Sequence, residues 1–502
     1  MSIESISVLV LLVTAGLFAL MGFLYTSRQT INLEEFVVSR NRFGIGMTFA
    51  TIVASAMGVW ILFSPPQVGA TNGITGVIGY GIGSAMPIAM LAFAGPRIRR
   101  ILPNGHSLNE FVLLRFGNAM YLLTLGVIVF YMFIYLSAEL TAIAKAVQIL
   151  ANVPLGWTAL VVITATFLYT TAGGLQSTIF TDAVQFVIIV PLLLISLWVA
   201  ASNLGGWQAA LEPIQAKAPE LLSWSNISGI KFGLTLLIAI TAAETFNQSN
   251  WQRVYASRTG KTVQKAFLYS ALVIVPMIMV AGALGLLAMH FGFNDDRAFF
   301  SLIQELRLPL AFVMLVLVLA LALVMSTLSS LLNGITSVFT VDLVRLFPQM
   351  QREGILRASR VLTVAVGIPA ILIAARGYDV LYLFLLADLI CAGAFAPVIL
   401  GLYSRHLTGR VALAGALLGI LTGALYFPAP DFSAWLPIPM GGDLLVSFAA
   451  ALVVSTGIVG AGIALARTQN KQPFDFSRLQ ERVHSYSPEP LEEISQATGD
   501  IQ

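Results

Sequence analysis

Charged residues, cysteine and histidine are all scarce in this chain. Only 10% of its 502 residues are Asp, Glu, Lys or Arg, whereas about 25% is usual for soluble proteins. The net charge of +3 gives no reason to expect a nucleic-acid partner. The single cysteine, Cys391, excludes an internal disulfide, and four histidines are too few to indicate a structural metal site. These shortages favour a membrane protein over a soluble one.

Long apolar runs take the place of the missing charges. Hydrophobic residues make up 58% of the chain, and runs of about 20 apolar residues are candidates for membrane-spanning helices. We predict about thirteen such helices. They begin near Ile6, Gly44, Ile74, Ala119, Trp157, Phe180, Ile230, Ala266, Leu310, Leu356, Val380, Val411 and Leu444. The sequence therefore predicts an all-α integral membrane protein, with one membrane domain over residues 1–467 and a short polar cytoplasmic tail over residues 468–502.

The placement of basic residues predicts the orientation of these helices. A secretory signal would have Lys or Arg before its apolar run. None precedes the first apolar run here, so we expect an uncleaved helix. With the N-terminus outside, most of the 27 Lys and Arg residues fall in segments that face the cytoplasm. Because cytoplasmic loops are enriched in basic residues, we expect a plasma-membrane protein with its N-terminus outside and its C-terminus in the cytoplasm.

Two segments combine small and polar residues inside apolar surroundings. Leu323, Ser326 and Thr327 lie at i, i+3 and i+4 in a long apolar run and therefore share one helix face. Hydroxyl groups in apolar helices often bond only their own i−4 carbonyl. Three oxygens on one face, however, can hold half of the shell of a hard cation. The small-residue segment Ala54–Gly58 could supply the other half, which favours a cation-coupled carrier.

Five acidic residues fall inside the predicted spans, and intramembrane charges are expensive enough to be functional hypotheses. They are Glu139, Asp182, Glu244, Asp342 and Asp388. Asp342 is expected to pair with Arg345 at i+3. Asp182 is either a carboxylate on the inner cation path or a first-turn acid stabilised by the helix dipole. Asp388 could contact substrate, carry a proton or bond a neighbouring helix. Glu244 begins a polar run to Asn250, which is either an unwound binding stretch or a loop.

Four motifs, in this order, resemble the sodium:solute symporters. They are Asn32-Leu33-Glu34-Glu35-Phe36 with Arg40, the block from Gly173 to Gln185, Gln252-Arg253, and Val324-Met325-Ser326-Thr327-Leu328-Ser329. The resemblance implies a LeuT-like core of two inverted five-helix repeats, here about residues 44–202 and 230–404. Substrate and sodium would lie near midplane, where the first helix of each repeat is broken.

The resemblance also implies roles for particular residues. Sodium would be bound by the backbone carbonyls of Ala54, Met57 and Leu323 and by the side-chain oxygens of Ser326 and Thr327. Asp182 would lie on the sodium release path. Tyr135 matches a substrate-contacting aromatic residue of proline carriers, and Asn247 matches a substrate-contacting residue of bacterial sugar carriers. Glu244 and Asp388 are added as substrate candidates because they are intramembrane acids.

Three departures narrow the expected substrate. Proline carriers place an Asp where this chain has Ala56. Sugar carriers have a Glu in the third span and a Gln in the eleventh, whereas this chain has no Glu between Ile74 and Pro96 and an apolar run broken by Asp388. The stretch 248–258 is most similar to the urea and polyamine branch, and we expect it to be a cytoplasmic loop.

The resulting prediction is a sodium-coupled symporter that imports a small polar solute by alternating access. Urea is the first substrate expected, followed by an amino acid or a polyamine. Glu244 and Asp388 leave proton coupling open. A nutrient sensor and a passive facilitator are the alternatives from other classes, and an enzyme is not expected because no nucleophile–base pair or metal cluster appears. The expected partners are the solute, Na⁺ and membrane lipid, with no cofactor beyond the coupling ion.

Overall fold

A computed structural model describes residues 3–27, 32–470, 472–483 and 486, and this part of the chain is almost entirely helical. The α-helices, in chain order, are α1 Ile3–Thr26, α2 Leu33–Val37, α3 Ile45–Ala56, α4 Ser64–Ile101, α5 Leu108–Phe116, α6 Asn118–Ala151, α7 Leu155–Asn203, α8 Trp207–Lys217, α9 Ile227–Thr245, α10 Gln248–Ala256, α11 Gly260–Ala288, α12 Ala298–Glu305, α13 Leu310–Leu346, α14 Arg352–Ala374, α15 Val380–Tyr403, α16 Gly409–Tyr426 and α17 Leu444–Thr468. Short 3₁₀ turns cover Val59–Leu62, Pro219–Leu222 and Phe476–Arg482. Within the described ranges the only β-pairings are two isolated bridges.

The apolar runs became the long helices, which confirms the all-α membrane class. Among the described residues, eleven helices are long and apolar enough to cross a membrane, and Ile45–Ala56 and Leu155–Thr171 are shorter apolar helices. The number of thirteen spans stays a prediction. Each of α4 and α7 holds an internal kink, at Gly73 with φ 70° and at Gly174 with φ 54°. Since only glycine adopts this backbone conformation readily, each kink separates two helical segments.

Two further interruptions fall at corresponding places in the two expected repeats. Helix α3 stops at Ala56 and gives way to the 3₁₀ turn, and α9 stops at Thr245, just before α10. Irregular backbone at membrane depth persists only where other groups satisfy it. At the first break, the Glu139 carboxylate accepts a hydrogen bond from the N–H of Val59 at 2.9 Å. A Cβ on Gly58 would lie 2.0 Å from that same carboxylate, so any side chain there would displace the carboxylate from this hydrogen bond.

Helix α13 lies at the centre of the molecule, and nearly all of its side chains from Met314 to Val341 are buried. It packs against α6, α7 and α14 and also against α1 and α3. Helix α4 packs along α11 and α9, while α16 and α17 pack on each other and on α15. The 3₁₀ turn Val59–Leu62 and α10, which follow the two breaks, both contact α13 and α4.

The stretch 248–258 is not the cytoplasmic loop that we expected. Residues 248–256 form α10, and every side chain of that helix is buried. The expectation was wrong because its polar side chains have partners inside the protein. Gln248 donates to the carbonyl of His106 at 2.9 Å and Gln252 donates to that of Val37 at 2.6 Å. Tertiary hydrogen bonds thus compensate for the polarity that indicated a loop.

The described part of the tail packs on the helical domain. Phe476, Leu479 and Val483 are buried. The N–H of Tyr486 donates to the Glu34 carboxylate at 2.9 Å, and the Tyr486 ring stacks on His106 with 3.9 Å between ring centroids. The remaining residues of the predicted tail, which are 471, 484–485 and 487–502, lie outside the described residues.

Candidate functional site

Asp182 lies at the centre of a buried polar cluster between α3, α7, α10 and α13. Its Oδ1 accepts a hydrogen bond from the Ser326 hydroxyl at 2.7 Å. Its Oδ2 accepts one from the Thr51 hydroxyl at 2.5 Å and one from Arg253 Nη2 at 2.8 Å. The carboxylate has no exposed surface and lies well past the kink at Gly174. It is therefore not a first-turn acid, and its charge is balanced by a buried cation.

Arg253 supplies that cation, and each of its three nitrogens donates at least one hydrogen bond. Its Nη2 also donates to the Ser330 hydroxyl at 2.7 Å, and its Nε donates to the Thr51 hydroxyl at 3.0 Å. Its Nη1 donates to the carbonyl of Ser249 at 3.0 Å. A buried ion pair is tolerated when hydrogen bonds satisfy its remaining donors and acceptors. In the sequence, Arg253 is recognisable only as part of a family motif, and its pairing with Asp182 was not predicted.

The residues expected to bind sodium lie where α13 passes the end of α3. The Thr327 hydroxyl donates to the carbonyl of Ser55 at 3.3 Å, which brings the two predicted halves of the site into contact. Ala54, Met57 and Leu323 are fully buried nearby in the same two elements. The Ser326 hydroxyl is turned towards Asp182. Hydroxyl and carbonyl oxygens are the donor types that a hard monovalent cation prefers.

A second buried region is a cavity between the 3₁₀ turn, α4, α6, α9 and α15. Aromatic rings form much of its wall. They are Trp60, Tyr80, Tyr131, Tyr135 and Phe384. The rings of Trp60 and Tyr80 stack at 5.5 Å, and those of Tyr135 and Phe384 meet edge to face at 4.9 Å. Five aliphatic residues complete the apolar wall. They are Leu236, Ile240, Ala243, Leu381 and Leu385.

Two carboxylates face into this aromatic cavity. Glu244 Oε1 accepts a hydrogen bond from the Tyr131 hydroxyl at 2.8 Å, and its Oε2 accepts one from Asn250 Nδ2 at 2.8 Å. Asp388, which is 4% exposed, has no hydrogen bond or ion pair with any described residue. Neither acid forms an ion pair within the described chain. The cavity therefore concentrates acidic groups without a compensating basic side chain in its wall.

The structure brings together three of the four substrate candidates. Tyr135, Glu244 and Asp388 line the cavity, although they lie on three different helices. Asn247 is outside the cavity wall. Its Oδ1 accepts from the N–H of Ser249 at 3.1 Å, and its Nδ2 donates to Glu244 at 3.1 Å. It holds the broken segment and the Glu244 carboxylate in place.

Several residues in the wall of the aromatic cavity were not predicted from the sequence. Trp60, Tyr80, Tyr131 and Phe384 lie in apolar runs, where an aromatic residue that packs is indistinguishable from one that lines a cavity. The best available signal was the position of Trp60, just after the small-residue break. Its indole Nε1 is buried and has no hydrogen-bond partner among the described residues, so it is one more polar group in the cavity wall.

The other predicted acids have structural roles. Asp342 forms the expected ion pair with Arg345 at 3.9 Å, and the Tyr121 hydroxyl bonds to both side chains. Glu139 braces the break at Gly58, as described above. Among the described residues, no group of three or more His, Cys, Asp or Glu side chains is arranged to hold a metal ion.

Comparison with known proteins supports a transporter of this fold. The sodium:solute symporter family model matches residues 36–423. The chain is 29% identical to a spermidine transporter of Candida albicans, over 80% of this chain and 81% of that protein. It is 27% identical to a sodium/proline symporter of Haemophilus influenzae, over 81% and 84%. A Na⁺-coupled sialic acid symporter, solved in its substrate-bound outward-open state, superimposes with a TM-score of 0.76 at 17% identity, over 92% of this chain and 98% of that one. The chain belongs to the sodium:solute symporter family and is a membrane transporter, not an enzyme.

Proposed function

We propose that this protein is a sodium-coupled symporter that imports a cationic amine, with a polyamine as the first substrate to test. The observation that carries the proposal is the presence in the aromatic cavity of two carboxylates, Glu244 and Asp388, that form no ion pair within the described chain. A relative with 29% identity is a spermidine transporter, which supports the same substrate class.

The chemistry of the cavity suits an amine cation better than a neutral solute. A charged carboxylate in a low-dielectric interior is expensive unless a cation lies beside it. An ammonium group would supply that charge to Asp388 and Glu244. The faces of Trp60, Tyr80 and Tyr135 would add cation–π attraction, worth about 2 kcal/mol or more where water is excluded. The apolar wall would contact the methylene segments of a polyamine.

Urea, the first expectation from the sequence, fits this cavity less well. Urea is neutral and small, so it would leave both carboxylates uncompensated. It therefore serves as the competing substrate in the test. An amino acid zwitterion is the other competitor, but the cavity wall offers no basic side chain for its carboxylate.

The connection between the proposed sodium site and the aromatic cavity supports coupling of transport to sodium. We place Na⁺ between the α3 carbonyls of Ala54 and Met57 and the α13 oxygens of Leu323, Ser326 and Thr327. Met57 is followed directly by the break at Gly58 and the 3₁₀ turn that carries Trp60. Sodium would therefore order the break and fix one wall of the substrate cavity. Because a ligand shifts a conformational equilibrium only through its differential affinity, this link makes each ligand strengthen binding of the other.

Asp182 would act on the inner side of the sodium site. Its hydrogen bond from Ser326 connects it directly to a proposed sodium ligand. As sodium leaves, the carboxylate attracts the ion and Arg253 restores the balance of charge afterwards. Inward movement of Na⁺ is driven by the membrane potential, at about 2.3 kcal/mol per charge per 100 mV. We retain the plasma-membrane location and the cytoplasmic C-terminus, which the basic residues support.

The test is uptake of labelled spermidine, urea and proline into proteoliposomes that contain the purified protein. Three conditions are compared: an inward sodium gradient, an inward proton gradient without sodium, and no gradient. We expect concentrative spermidine uptake only with sodium. Uptake driven by protons alone would overturn the coupling ion. Concentrative urea or proline uptake without spermidine uptake would overturn the substrate class.

A charge-removing pair of variants links the result to the cavity. Asp388→Asn should lower the apparent affinity for spermidine at least tenfold, because one ammonium–carboxylate contact is lost. Asp342→Asn is the matched control, since Asp342 lies outside the cavity and pairs with Arg345. Equal spermidine affinity in the wild type and both variants would rule out Asp388 as a substrate contact.

A further inference from the structure

A basic groove lies where the end of α4 meets the start of α11, beside the end of α15. Its wall includes Arg97, Arg99, Arg100, Lys261 and Tyr403 and contains no carboxylate. The groove encloses about 930 Å³, within the range of about 300–1,000 Å³ that is typical of small-molecule sites. It is separate from the substrate cavity and from the sodium region, so the transport cycle described above makes no use of it.

Two of the basic side chains already have partners inside the protein. Arg99 donates to the carbonyls of Val254 and Ser257 and to Asn41 Oδ1. Arg97 Nε donates to the carbonyl of Leu402 at 3.2 Å, and the guanidinium lies 5.2 Å from the centre of the Phe476 ring. These two residues shape the groove and raise its positive potential.

The other two basic side chains are unpaired. Arg100 and Lys261 are exposed, and neither forms a side-chain hydrogen bond or ion pair with any described residue. They come from different helices, yet they face the same groove. Two unpaired cations that line one groove from different helices, with no acid in its wall, can attract an anion.

Backbone donors add to this charge. Helix α11 begins at Gly260, and the Thr259 hydroxyl caps it by accepting from the N–H of Thr262 at 3.1 Å. The N–H groups of Gly260 and Lys261 have no acceptor in the described chain, and both residues line the groove. Free N–H groups at the positive end of a helix dipole bind phosphate oxygens. The groove therefore offers both donor types that phosphate recognition uses.

The surroundings of the groove place it at the edge of the membrane. Phe93, one helical turn before Arg97, is 57% exposed, and Tyr403 is 51% exposed. Exposed aromatic residues next to basic ones are typical of the boundary between lipid and water. The basic residues of α4 assign this end to the cytoplasmic side, where anionic lipids concentrate.

We propose that this groove binds a phosphate group, which an anionic phospholipid of the inner leaflet supplies through its headgroup. Arg100, Lys261 and the first N–H groups of α11 hold the phosphate, and the acyl chains pass over Phe93. Because the wall is shared between α4 of the first repeat and α11 of the second, a bound lipid joins the two repeats at this end. It stabilises the arrangement of helices described here.

The experiment compares the full-length protein with Arg100→Gln/Lys261→Gln. The matched control is Arg352→Gln/Arg357→Gln, which also removes two exposed basic side chains near the start of α14. Each protein is placed in phosphatidylcholine nanodiscs, with or without phosphatidylglycerol, and separately in phosphatidylcholine with inorganic phosphate. Thermal unfolding and native mass spectrometry after detergent extraction report stabilisation and bound lipid.

Phosphatidylglycerol should bind and stabilise the wild type and the control, and the groove variant should bind it roughly tenfold or more weakly. Stabilisation by inorganic phosphate alone, lost in the groove variant, would support the phosphate site but assign a soluble source. Equal retention of phosphatidylglycerol by the wild type and the groove variant would overturn the proposal. Because both substituted side chains are exposed, the groove variant is expected to fold.

Discussion

Asp182 and Asp388 are both buried aspartates inside the same transporter, but their surroundings differ completely. Asp182 receives an ion pair from Arg253 and hydrogen bonds from Thr51 and Ser326. Asp388 has no partner among the described residues and faces an aromatic cavity. An acid that the protein itself balances holds elements together, whereas an acid left unbalanced is available to a ligand. The comparison therefore predicts that Asp388, rather than Asp182, is the aspartate that a ligand contacts.

The same contrast sets the direction of the expected stability changes. Removing one partner of a buried ion pair leaves an uncompensated charge and typically destabilises by about 3–5 kcal/mol. Removing a buried carboxylate that has no partner relieves a desolvation penalty instead. Removing one charge of the Asp182–Arg253 pair should therefore lower the unfolding temperature, whereas removing the charge of Asp388 should leave it unchanged or raise it.

The largest effect is expected at Arg253. Arg253→Gln should destabilise the protein by about 3–5 kcal/mol, because Asp182 is left charged and buried. Combining it with Asp182→Asn should recover much of that loss, since both charges are then absent. Thermal unfolding of the two single variants and the double variant measures this coupling. Additive losses in the double variant would contradict the ion pair as the source of the effect.

Asp182 also has an expected role in transport. Asp182→Asn should slow sodium-driven uptake more than it weakens sodium binding, because the carboxylate is proposed to act on release. Initial uptake rates and sodium titrations of substrate binding separate the two quantities. An Asp182→Asn protein with unchanged uptake would return this residue to a purely structural role.

The next effect concerns the unbalanced acid. Asp388→Asn should weaken binding of a cationic substrate at least tenfold while leaving the unfolding temperature unchanged or higher. Substrate titrations by tryptophan fluorescence and thermal unfolding give both values on one preparation. If Asp388→Asn destabilises as strongly as Arg253→Gln, the distinction between the two aspartates is wrong.

A smaller effect is expected at the sodium region. Thr327→Ala removes one oxygen from the proposed shell and should raise the sodium concentration needed for half-maximal uptake severalfold. Ser329→Ala is the matched control, because the Ser329 hydroxyl donates to the carbonyl of Ser326 in its own helix, at 2.9 Å, and does not belong to the proposed sodium shell. An unchanged sodium requirement in Thr327→Ala would exclude Thr327 from the site.

The parts of this molecule that were predictable from sequence depend on local pattern. Apolar runs gave the helix starts closely, and the small residues before Gly58 indicated the first break. Tyr135, Glu244 and Asp388 were each selected singly, but their convergence depends on how α6, α9 and α15 pack. Nothing in their sequence spacing indicates that contact.

Arg253 shows why the remainder could not be predicted. A dense polar stretch indicates a loop when each residue is weighed by its own solvation. In the folded chain, Gln248, Gln252 and Arg253 find partners on distant segments, and the stretch is buried as a helix. Partners that are far apart in sequence leave no local signal.

The smallest effect is predicted for a third acid, Glu34. One of its two basic partners, His106, can lose its proton. Glu34 bonds to Arg40 at 2.7 Å and to His106 at 2.8 Å, outside the predicted spans. Burial alone would raise the pKa of Glu34, but the hydrogen bond and charge of His106, with the charge of Arg40, lower this pKa from 4.5 to about 2. Burial has the opposite effect on His106 and would lower its pKa, but the hydrogen bonds and charges of Glu110 and Glu34 raise this pKa above 6.5.

These opposite shifts define a pH window for the cluster. The stabilisation from Glu34 is present above pH 4.5, because its pKa is lowered in the folded state, and it is lost as the pH falls towards about 2. The stabilisation from His106 is fully present below pH 6.5, because its pKa is raised in the folded state, and it is lost as the pH rises through the folded pKa. Stability from this cluster is therefore greatest between pH 4.5 and 6.5. In His106→Gln, the fall of the unfolding temperature above pH 6.5 should be smaller than in the wild type by about 1–2 °C. His290→Gln, outside the cluster, is the control, and an unchanged loss of stability at high pH in His106→Gln would show that the charge of His106 does not stabilise this cluster.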